Sequence, residues 1–189
     1  MTSGKFLYPA LTLAMAFLLP EPVFGQEDHG AQVDTAAMIA SALSAAPEAI
    51  SAAATVTDHS GNVLRPGTNG FTCLPDDPEI PGNGPFCLDA GWHAWFGAWL
   101  SQEDPPGVDR PAFIYALQGG WPTSNIDPYA QGPTEDNQWL GITYPHIAML
   151  APDLSMLEGI SSDPDNGGPW VMWKDTPYAH LMIPAARKQ

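Results

Sequence analysis

Between Arg65 and Arg110, and again between Arg110 and Lys174, the chain contains no lysine or arginine. Six basic residues stand against 21 carboxylates, for a formal net charge of −15. Nucleic-acid binding needs clustered cations to neutralise phosphates, so DNA and RNA are excluded as partners. An anionic membrane surface is disfavoured on the same ground. Cations, neutral molecules and basic partners remain, beside the plainer reading that an acidic surface keeps the protein in solution. Cysteine is equally scarce: Cys73 and Cys87 are the whole supply. A zinc-thiolate centre would need a second cysteine pair or a Cys-x-x-Cys unit, and neither is present. Standard catalytic signatures are missing too. There is no Gly-x-Ser-x-Gly elbow, His-Glu-x-x-His, Walker loop, Gly-x-Gly-x-x-Gly or Cys-x-x-Cys-His.

Long apolar runs are confined to the start. Lys5 supplies one positive charge, and Phe6 to Leu19 is interrupted only by Tyr8, Pro9 and Thr12. Pro20-Glu21-Pro22 breaks the run, and Val23-Phe24-Gly25 leads to Gln26. This layout reads as a signal peptide over residues 1–25, too short and wrongly flanked for a membrane span. The expectation is an exported protein, periplasmic or extracellular. Residues 26–33 then form a flexible linker, and residues 34–189 a single domain. In an oxidising compartment the two cysteines pair. The intervening stretch from Leu74 to Phe86 is too rich in proline and glycine for a helix or central strand. A disulfide closing a loop of that size stabilises by roughly 3 kcal/mol.

Helix signals are few. Asp34 or Thr35 can cap a helix through Ala46, and Pro47 ends it or opens a short turn to Ile50. Asp89 caps the clearest helix, on which Trp92, Trp95, Phe96 and Trp99 fall at i, i+3, i+4 and i+7. Such an aromatic stripe reads first as core. His93 lies off the centre of that face and reads as a boundary residue.

Strand signals occupy the rest. Residues 54–58, 63–65 and 71–73, separated by turn chemistry, read as a meander, with His59 solvated in its first turn. Residues 112–117 and 146–150 are further strands, and residues 170–173 and 178–183 make a hairpin around Lys174-Asp175-Thr176-Pro177. The expected fold is α+β, with an antiparallel sheet of about five to seven strands covered by two helices. A long polar segment, residues 118–143, reads as a binding loop or as a surface excursion with a short helix near Glu135 to Leu140. The stretch from Asp163 to Gly168 has the flavour of a calcium loop but lacks the bidentate glutamate, so it reads as a turn.

Two short stretches near the C-terminus echo each other. Tyr144-Pro145-His146 heads one apolar strand and Tyr178-Ala179-His180 heads the other, each closed by a proline. A histidine entering a buried strand loses hydration and normally has a partner or a task. Alternation puts Tyr178, His180 and Met182 on one face of their strand, and His146 with Ala148 and Leu150 on one face of theirs.

The segments Asn69-Gly70-Phe71-Thr72-Cys73, Cys87-Leu88-Asp89, Tyr115 to Gly120, Pro145-His146 and Val171 through Met182 resemble a family of small exported bacterial proteins without an assigned function. The resemblance covers most of the chain after Ala46. It implies one compact domain with a bridged cysteine pair, and it carries no catalytic assignment.

Three functions fit these residues. The first is small-molecule or metal binding near His146 and His180, if their strands are neighbours and their rings share a side. A transition metal (zinc, copper or iron) would be the cofactor, completed by a carboxylate such as Asp153, Asp127 or Glu135. Alternatively, Trp121, Tyr144 and Trp173 would line a ligand site, with Trp92, Trp139 and Trp170 as further aromatic candidates. The second is a histidine-dependent hydrolase or lyase, with His146 or His180 as base beside Tyr144 or Tyr178. The third is a structural or interaction protein of the envelope. A monomer or a weak homodimer joined at a sheet edge is expected.

Overall fold

The computed structural model describes Met1, residues 34–141 and residues 143–185. The signal peptide and linker expected over residues 1–33 lie outside the described residues. No helix among the described residues is long and apolar enough to cross a membrane.

Helices α1 (Thr35–Ser44) and α2 (Glu48–Ser51) precede three short strands, β1 (Thr55–Thr57), β2 (Val63–Arg65) and β3 (Thr72–Leu74). Strand β4 (Phe86–Leu88) leads into α3 (Ala90–Ser101) and β5 (Ala112–Ala116). After the long loop come β6 (His146–Leu150), a 3-10 turn (Leu154–Leu157), β7 (Trp170–Met172) and β8 (His180–Pro184). The strands form one eight-stranded sheet in the order β2-β1-β3-β4-β5-β6-β8-β7.

This is an α+β fold, but two expectations need correction. The sheet exceeds the expected strand number and is mixed, because β3 runs parallel to β1 on the side away from β2. The first three strands are therefore not a meander. Gly67 explains why the chain can cross back: a Cβ there would overlap the backbone of Ala54 and Thr55. The helix expected near Glu135 is also absent. Ser124 and Trp139 instead form an isolated bridge that folds the long loop on itself.

Local chemistry sets the elements. The Asp34 carboxylate accepts from Ala37 N–H and caps α1. Asp89 does more: one oxygen accepts from Trp92 N–H at 3.0 Å and the other from Phe113 N–H at 2.8 Å. One carboxylate thus starts α3 and ties it to β5. Gln102 ends α3 in the left-handed region, its N–H returning to Ala98 and Trp99 carbonyls. Cys73 and Cys87 are register partners on β3 and β4 and form the disulfide, fully buried.

Both faces of the sheet are covered. On one, α1 and α2 pack small residues, including Ala42 and Ala45, over Val56, Cys73 and Cys87. At the far end of that face, Leu157 packs on Val171 and Ala179. The other face carries the large core: Phe86, Leu88, Ala112, Ala148, Leu150, Met172 and Met182 under Trp92 and Trp95 of α3.

Candidate functional site

Register decides the fate of the two histidines. Strands β6 and β8 are antiparallel neighbours, with His146 opposite Pro184 and Ala148 opposite Met182. Directly opposed residues share a face, so His146 and His180 do point to the same side of the sheet. However, continuing the register sets His180 beside Leu150, four positions from His146. At 3.3 Å per residue that is about 13 Å along the strand. Each ring is also anchored at its own strand start. His146 Nδ1–H donates to Tyr144 O at 2.7 Å, and His180 Nδ1–H to Tyr178 O at 2.9 Å. These starts lie at opposite ends of an antiparallel pair.

A carbonyl oxygen only accepts, so in both rings Nδ1 carries the proton and Nε2 keeps its lone pair. No hydrogen bond to either Nε2 is present among the described residues. Burial pushes the His180 ring down to about 4; its bond to Tyr178 works against this, and a repulsion from His146 adds to it. Burial likewise lowers His146, against the bond to Tyr144. Both rings are neutral at pH 7.

The expected metal centre finds no support in the arrangement of side chains. Among the described residues no three His, Cys, Asp or Glu side chains gather to hold an ion. Asp153 is exposed and caps the 3-10 turn, accepting from Ser155 N–H at 2.9 Å, which lowers its pKa. Asp127 and Glu135 stay on the surface of the long loop. The calcium-like stretch is a turn closed by Asp163 and Asn166.

His180 instead fills an aromatic box. Its ring meets Trp173, Trp92 and Trp95 edge to face, with centroids 5.1, 5.4 and 5.6 Å away. Trp173 lies parallel to Trp95 and near-parallel to Trp99. Tyr178, the proposed partner of a histidine base, spends its hydroxyl on Glu103 O at 2.6 Å. Tyr144 is half exposed and contributes its backbone to His146. Trp121 sits away from the box, edge-on to Phe86.

What the sequence did not reveal is a polar hub beside this box. Ser124 and Asn125 are fully buried. The Asn125 side chain donates to Gln138 Oε1 and Ser162 O, both at 2.9 Å, and accepts from Trp170 Nε1 at 3.1 Å. Its carbonyl receives Trp173 N–H at 2.8 Å. Ser124 Oγ donates to Asn137 O, and Ser124 O accepts from Trp173 Nε1 at 2.8 Å. So many bonds hold two residues in a sparsely populated backbone region, Trp173 at φ 53° and Gln138 at φ 48°. The signal available in the sequence was Ser124-Asn125 within an otherwise exposed polar loop.

Beside the hub lies an open groove of about 500 Å³, to which Asn137, whose carbonyl accepts from Ser124 Oγ, contributes. Ile126, Ala130 and Pro133 supply apolar wall, Asp127, Gln131 and Asp136 polar wall, and buried Asn137 lies beneath. Behind it Trp99 Nε1 donates to Pro128 O, and Tyr129 OH to Trp99 O, so the aromatic stack backs the loop. No lysine or arginine lines the groove.

No protein-family model, curated protein or solved structure matches this chain.

Proposed function

We propose that this is an exported ligand-binding domain whose site is the groove of the 126–137 loop. The observation that carries this reading is the buried hydrogen bonding that holds the groove's loop. Three of the buried polar residues, Ser124, Asn125 and Asn137, are committed to fixing that loop. Function-bearing loops are held in this way on a stable scaffold, and the groove's volume lies in the range of small-molecule sites. Asp127 and Asp136 without a facing cation favour a neutral, polyhydroxylated or cationic molecule over an anion. The disulfide and the lack of a membrane-crossing helix among the described residues are compatible with export.

The test is a thermal-shift and calorimetric screen with neutral sugars, primary amines and small carboxylates. A sugar or amine that raises Tm, and loses affinity in Asp127→Asn or Asp136→Asn, supports the reading. Binding that ignores both substitutions, or only carboxylates binding, would overturn it.

His146 favours a second reading, chemistry at a histidine. Its ring is half buried, its Nε2 has no hydrogen bond among the described residues, and Gly120 lies beside it. A hydrolase or lyase assay whose rate collapses in His146→Ala but not in Asp136→Asn would favour it over the groove.

A further inference from the structure

Among the described residues the one side-chain nitrogen or oxygen wholly shut off from solvent without a hydrogen-bond partner is Trp121 Nε1. An indole N–H can only donate, and leaving it dry and unpaired is unfavourable enough to call for a physical reason. The reason lies in what covers it. Gly84 rests on the pyrrole edge so closely that a Cβ there would stand 2.5 Å from Nε1 and 2.6 Å from Cδ1. Phe86 meets the indole edge-on, centroids 5.6 Å apart, and exposed His59 lies 6.3 Å away.

Gly84 belongs to the loop between β3 and β4, residues 75–85, whose base is clamped by the disulfide. Pro75, Gly84 and Pro85 at the two ends of the loop are buried, and its middle is joined to the rest by few hydrogen bonds. Asp76 N–H donates to Ser41 Oγ at 3.0 Å, and the Asp76 carboxylate accepts from Gly84 N–H at 2.6 Å. Glu79 and Ile80 N–H turn back to Asp77 within the loop. Pro78, Glu79, Pro81, Gly82 and Asn83 are exposed.

We propose that this loop is a lid over a second binding position, in which Trp121 N–H donates to the oxygen of a neutral, cyclic carbonyl or ether compound. With the lid down the donor is buried and unpaired; with the lid up a ligand oxygen satisfies it, so the ligand selects the raised state. The indole face and Phe86 supply apolar contact. Asp76, Asp77 and Glu79 on the lid, with no lysine or arginine in it, disfavour an anion. The position is separate from the 126–137 groove and does not depend on it.

Titration of the full chain with cyclohexanone, followed through indole N–H resonances, tests the proposal. Trp121 is assigned as the peak absent from Trp121→Phe. The expected result is a saturable shift of that peak with cyclohexanone, and none with cyclohexane carboxylate or cyclohexylamine. In Gly84→Ala, where the new Cβ drives the lid away, amide exchange over residues 77–84 should quicken roughly tenfold and cyclohexanone should bind more tightly. Replacing Trp121 with benzothienylalanine keeps the shape and deletes the donor; it should slow exchange in the lid and abolish cyclohexanone binding. No shift of the Trp121 peak in either the parent or Gly84→Ala would overturn the proposal. So would equal shifts with all three probes, or faster lid exchange in the benzothienyl variant.

Discussion

The carboxamide of Asn125 and the indole of Trp170, 45 residues apart in sequence, meet in a buried hydrogen bond of 3.1 Å. The same carboxamide serves Gln138 and Ser162, so one side chain joins the long loop, the 161–169 turn and the edge strand β7. Asn125→Ala strands the Trp170 N–H and the Ser162 carbonyl. It should destabilise the domain by about 3–5 kcal/mol in urea unfolding and speed amide exchange across residues 124–140. A loss below about 1 kcal/mol would mean that the hub is not what fixes the loop.

Acid should weaken the fold through His180. Its folded pKa of about 4 lies below the ordinary histidine value of 6.5, so the unfolded chain binds the proton more readily. The contribution is at its full value above pH 6.5, falls as pH drops, and levels off below pH 4. Over that window the loss is about 3 kcal/mol, and the lowered His146 acts in the same direction. Unfolding free energies at intervals from pH 7 to pH 4 check this, with His180→Phe expected to give the flatter curve. Equal slopes in the two proteins would remove His180 from the account.

Gly67→Ala tests the crossing that makes the sheet mixed. The added methyl would overlap the backbone of Ala54 and Thr55 rather than a movable side-chain end. A loss of at least about 3 kcal/mol, or failure to fold, is expected. A stable variant with unchanged Tm would mean that the β1–β3 region is set differently.

Replacing both cysteines by alanine should lower stability by about 3 kcal/mol. Parent protein treated with reductant should approach the Tm of that variant. Mass measurement without reductant, two hydrogens lighter than the dithiol, reports the bond directly.

Much of the scaffold was legible in the sequence because local chemistry sets it. Asp89 announces α3, the tryptophans at helical spacing announce its buried face, and the tyrosine-to-proline strands β6 and β8 carry their alternation openly. The parallel β1–β3 pair was not legible, since turn residues show where a chain bends but not which side of a strand it returns to. The histidine pair shows the same limit more sharply. Sequence gave adjacency and shared face as conditions, and both hold; the four-residue offset comes from register, which nothing near His146 or His180 encodes. The polar hub escaped notice because Ser124 and Asn125 look like ordinary turn residues until Trp170 and Trp173 arrive from the far end of the chain.

The outer edge of β7 has a consequence for assembly. The outward Val171 N–H is already taken by Ser161, and the Trp173 N–H just past the strand by Asn125. A neighbouring molecule finds no free donors at those two positions, which blunts this end of the sheet against edge-to-edge growth. The opposite end, β2, is three residues long, and its Arg65 guanidinium is drawn back to the carbonyls of Ser51 and Ala52. Recruitment of the long loop by Asn125 thus occupies part of a strand edge as well as bordering a groove.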